Sequence, residues 1–160
     1  MRYLFQSAVL AFAAFLSACA GGSPSSTSAN GSWSAELSTP AQPQPGVFSF
    51  NLTQTNTTLS ANTLNFSGLG NLSPCFGAGT ILSGNLGPAM MNSSAVAMTM
   101  SWTPPGAVAT NTMTMQGNLG STMASGAGTF VLTGQTAGCA SQSGTFTMTR
   151  APAHAIAALR

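Results

Sequence analysis

Few side chains in this sequence could do chemistry, and three of them are cysteines. Cys19 follows an apolar run, Leu4 to Leu16, and the small residues Ser17 and Ala18. Cys75 lies in Pro74-Cys75-Phe76-Gly77 and Cys139 in Gly138-Cys139-Ala140-Ser141. Past Cys19 the only other strongly ionisable groups are Glu36, Arg150 and Arg160, with His154 as a near-neutral base; Lys and Asp are missing altogether. Glu36 alone cannot form the carboxylate pair of acid–base catalysis. A Ser-His-Asp triad lacks its aspartate, and no cluster supplies the three or four ligands of a zinc site. The glycines are scattered at turns, so no phosphate-cradling or dinucleotide fingerprint exists. Two arginines near one end cannot displace the counterions of a nucleic acid. The composition therefore argues against an enzyme, a cofactor and a nucleic-acid partner.

Cys19 has a different chemistry. Arg2, the apolar run and the small residues form the three parts of a secretory signal over residues 1–18. The run is too short, and too quickly followed by Gly, Ser and Pro, to make a transmembrane helix. Leu16-Ser17-Ala18-Cys19 resembles the lipobox of bacterial lipoproteins. That resemblance implies thioether attachment of a diacylglyceryl group to Cys19, cleavage just before it and acylation of the new amine. It also implies an envelope location, with the membrane as a partner through the anchor; Ala20, in place of Asp, points to the outer membrane. Residues 19–30 are rich in Gly and Ser, cannot bury apolar area, and read as a flexible tether.

With Cys19 committed to lipid, Cys75 and Cys139 remain. An even pair in an exported domain points to a disulfide. Their Pro-, Gly- and Ser-rich surroundings place that bridge between two loops at one end of the domain. Free thiols or a redox pair are the alternatives, but Cys-x-x-Cys spacing and a nearby cation are both absent.

About 140 residues remain after cleavage, enough for one domain with a real core. Between residues 31 and 150 helical periodicity is missing, and short alternating runs bounded by Gly, Pro and Asn replace it. Trp33-Ala35-Leu37, Phe48-Phe50-Leu52 and Val96-Met98-Met100-Trp102 are the clearest. A weak strand runs through Leu64 and Phe66, and another spans Thr80–Leu86, ended by Gly87-Pro88. Met113 and Met115 mark the next, closed by Gly117-Asn118. Gly128–Gly134 and Gly144–Arg150 echo each other and suit antiparallel neighbours. Pro40, Pro43 and Pro45 mark a loop, as does Gly68–Gly79. Residues 151–160 form a short tail.

The expected fold is all-β: a small antiparallel up-and-down barrel of about eight strands, which removes the edges that a neutral, Thr-rich sheet leaves unguarded. A two-sheet sandwich is the alternative. A transmembrane barrel ranks third, because the runs look shorter than the 9–11 residues such strands need. Gly31-Ser32-Trp33 at the start and Arg150 at the end resemble the calycin (lipocalin and avidin) arrangement. There a basic residue of the last strand packs over the tryptophan of the first and closes the barrel. The resemblance implies a guanidinium within about 6 Å of the Trp33 indole. Met98, Met100, Met113, Met115 and Met148 share the inward register. They either fill the core or line a site for an apolar ligand. The expected role is thus a non-catalytic envelope lipoprotein that is structural or binds an envelope protein, with an apolar-ligand barrel as the alternative.

Overall fold

The computed structural model describes residues 28–90 and 93–152. Residues 1–18, read above as a signal, Cys19, the first part of the expected tether, and the tail from residue 153 with His154 and Arg160 lie outside the described residues.

The chain forms eight antiparallel strands in sequence order: β1 (Gly31–Thr39), β2 (Gln42–Thr55), β3 (Thr58–Gly68), β4 (Ile81–Met90), β5 (Ser93–Trp102), β6 (Asn111–Gly120), β7 (Ser125–Thr133) and β8 (Gln142–Arg150). They close into a barrel, with β8 paired back onto β1. Every connection joins neighbours, so the topology is up-and-down. Closure pairs every strand with two neighbours and leaves unpaired edge chiefly at the β3–β4 seam, which matters because the outer faces carry no charged residues except Glu36 to deter edge pairing.

Alternation decides which side chains go inside. Trp33, Ala35 and Leu37 of β1 are buried, as are Phe48, Phe50 and Leu52 of β2. So are Val96, Met98 and Met100 of β5, Met113, Met115 and Leu119 of β6, and Phe146 and Met148 of β8. The intervening outward positions are mostly Ser, Thr, Asn and Gln; Ile81, Val108 and Val131 are the exposed large apolar residues among those described. A lipid-facing band would instead need outward apolar side chains.

Four expectations about the strands need correction. Gly117-Asn118 does not close β6, which stays paired with β7 through Leu119. The strands run 9 to 14 residues, so length does not argue against a membrane barrel; the polar outer faces do. Pro43 and Pro45 do not form a loop but lie within β2. They are tolerated because β2 pairs with β3 only from Val47 onward and its register with β1 breaks between Leu37 and Thr39. Likewise Gly87-Pro88 does not end β4; the ladder with β5 slips there and resumes at Ala89.

The weak pattern of β3 also has a physical cause. Its register with β2 shifts between Val47 and Ser49 and again between Phe50 and Leu52. Each shift flips the inward parity, so Leu59 and Ala61 give way to Leu64 and Phe66 on the core side. β3 meets β4 only over Thr58–Ala61 against Leu82–Asn85. The remaining seam is filled by the β3–β4 connection. It contains a 3-10 helix, Gly70–Cys75, that buries Leu72 and Cys75. Phe50, Phe48, Phe66 and Phe76 stack successively toward that plug, with centroids 5.3, 5.9 and 5.5 Å apart.

Inward glycines make room for the large core residues. Gly117 and Gly128 are register partners, and a Cβ on either would stand 2.1 Å from a carbonyl oxygen of the facing strand. Gly144 lies under Phe130, and Gly126 under Leu119 and Met148. Such glycines let a sheet bend sharply into a small closed barrel.

Candidate functional site: the two ends of the barrel

Cys75 and Cys139 form a disulfide across one end, with Cα atoms 4.9 Å apart and a sequence separation of 64. It ties the β3–β4 plug to the β7–β8 loop. Cys75 is fully buried and Cys139 nearly so. Beside it stands Asn111, the first residue of β6, also fully buried. Its amide donates to the Cys75 carbonyl (3.1 Å) and the Thr136 hydroxyl (2.7 Å), and its oxygen accepts from the Gln135 N–H (2.9 Å). The Trp102 indole donates to the Ala78 carbonyl (3.1 Å), holding the same plug from β5. Sequence reasoning missed Asn111. Its signal was parity, because it shares the inward register of Met113 and Met115 and an inward amide needs buried partners.

The opposite end is where β1 begins and β8 stops. Trp33 and Arg150 are register partners there. The indole N–H donates to the Ala29 carbonyl at 2.8 Å inside the barrel. Ala29 is itself fully buried, and its N–H donates to Gln54 Oε1 (2.8 Å). The segment read as the last of the tether, Ser28–Asn30, is therefore built into the lid.

Arg150 does not stack on the indole. Its Nη1 donates to the Ser28 and Asn30 carbonyls, and the aromatic contacts among the described residues are between phenylalanines. The physical reason is the chain end: Ser28–Asn30 crosses the rim and offers carbonyls, which reward a guanidinium more than a ring face does. The stem of Arg150 fills the space where a Gly31 side chain would stand, with Cδ 3.3 Å from an ideal Cβ. Gly31 has a φ of +132°, open only to glycine. The backbone N–H of Arg150 donates to Ala124 O and that of Ala151 to Ser32 O, both at 2.8 Å.

Outside this lid lies a solvent-open cavity of about 770 Å³, lined by Asn30, Gly31, Ser32, Ala124, Arg150 and Ala151 among others. A second cavity, about 370 Å³, lies on the outer face over Gly87, Ala95 and Ala97. The five methionines line neither of these cavities. Met98 faces Met115 and Met100 faces Met113 in the β5–β6 register, Met148 pairs with Ala35, and all five are at most 1% exposed within one core cluster. Among the described residues no group of three or more His, Cys, Asp or Glu is placed to hold a metal ion.

Compared with protein-family models, with curated proteins and with solved structures, the chain matches none.

Proposed function

We propose that this chain is the precursor of a non-catalytic lipoprotein of the bacterial cell envelope, anchored through acyl chains on Cys19, with the outer membrane as its location. Its barrel would serve as a structural or protein-binding module. The observation that carries this reading is Leu16-Ser17-Ala18-Cys19 at the end of a signal-like apolar run, nine residues ahead of Ser28. The barrel supports it in two ways. Its interior is filled by the chain's own side chains, and both ends are covered, one by Ala29 and Trp33 and the other by the disulfide-bound plug. Glu36, on the outer face of β1, has no second carboxylate to work with. The apolar-ligand alternative would need a hollow interior, and the packed methionines speak against it.

Mass spectrometry of the mature N-terminus tests the reading. The expected result is a chain that starts at Cys19 and carries acyl mass, and release from membranes on Cys19→Ala. An unmodified Cys19, or a chain that starts elsewhere, overturns it.

A further inference from the structure

We propose that the Arg150 end of the barrel is its membrane-facing surface, with the guanidinium meeting phosphates of anionic phospholipid headgroups. The proposal rests on lipid attachment at Cys19, and goes beyond it by orienting the folded domain.

The first support is chain geometry. Eight residues separate Cys19 from Ser28, so the link between them spans at most about 30 Å even fully extended. Ser28 is fixed at the Arg150 rim, where Arg150 Nη1 binds its carbonyl. The anchor thus enters the domain at this end. A nine-residue strand such as β1 is itself about 30 Å long. To turn the disulfide end toward the bilayer, the tether would have to run back along the whole barrel wall.

Charge is the second support. Arg150 is the only lysine or arginine between residues 28 and 152, and it sits at this rim. Glu36, the only carboxylate there, lies three residues further along β1, opposite Thr147. Among the described residues, the rim next to Ser28 therefore presents a cation, and the disulfide end presents no charge. A guanidinium is well suited to phosphate oxygens, and the cavity beside it adds the polar groups of Asn30 and Ser32. One cation cannot hold a protein on a membrane. The acyl anchor supplies the high local concentration that lets a single contact set orientation.

The test uses the processed lipoprotein in vesicles of phosphatidylcholine with phosphatidylglycerol, some of the lipid carrying a headgroup spin label as quencher. A fluorophore is placed on Ala124→Cys at the Arg150 rim, or on Val108→Cys, which is fully exposed at the far end. Quenching is expected to be several-fold stronger at position 124. Replacing phosphatidylglycerol by phosphatidylcholine should reduce it, a comparison that needs no change at residue 150. Arg150→Gln should reduce it equally and Arg150→Lys restore it. Equal quenching at both positions, or stronger quenching at 108, overturns the orientation while leaving lipid attachment intact. Quenching at 124 that ignores lipid charge overturns the headgroup contact. Protein that fails to float with vesicles and carries an unmodified Cys19 overturns the anchor and this proposal together.

Discussion

Asn111 begins β6 with its side chain turned inward, and groups from two loops converge on it. Asn111→Leu keeps the volume but strands the Gln135 N–H and the Cys75 carbonyl. Leaving such groups buried costs about 3 kcal/mol in total. A urea titration should show the midpoint fall with little change in slope. Arg150 and Gly31 form a comparable pair at the other end. Gly31→Ala would meet both an unfavourable φ and the Arg150 stem, so it should lower stability by about 1–3 kcal/mol.

Among the strands, β5 and β6 carry the most regular register and the methionine pairs. Methionine fills irregular space, so Met100→Leu should cost less than about 1.5 kcal/mol. Met100→Ala should cost about 2–5 kcal/mol, because a closed barrel interior cannot collapse around the void. Thermal melts of the two variants separate these outcomes, and equal effects would mean that the core is loosely packed. The β3–β4 seam is the weakest element of the wall, since its ladder covers only Thr58–Ala61. Its plug is held by the disulfide. Reducing Cys75–Cys139 should lower stability by about 4 kcal/mol in the chain-entropy account. Amide exchange should rise first in residues 69–80, before the β5–β6 ladder loosens.

The described residues form one closed barrel, and its cover at the Trp33 end comes from residues before β1. A truncation that removes the chain through Thr27 should fold with unchanged emission. One that removes it through Asn30 takes away Ala29, the acceptor of the Trp33 indole, and the carbonyls that hold Arg150. Its tryptophan emission should shift to the red as water reaches Trp33, with Trp102 at the far end as the internal reference. If both truncations behave alike, the lid adds nothing to closure.

Period-two alternation was enough to reveal about eight strands, the inward faces of β1, β2, β5 and β6, and the all-β class, because sidedness in a sheet follows from neighbouring residues alone. The pairing of Cys75 with Cys139 followed from the cysteine count and from reading the chain as exported, and the structure has that disulfide. Register was not legible. The slips in β3 blur its pattern, and proline reads as a breaker unless one knows which ladder positions go unused, as at Pro43, Pro45 and Pro88. The fate of Arg150 also had to come from tertiary structure. Its sequence neighbours say nothing about Ser28 and Asn30, more than a hundred residues away, whose carbonyls take the guanidinium that the indole was expected to hold. Local pattern sets which way a side chain points, but closure sets what it meets, because only the folded barrel brings distant segments to the same rim.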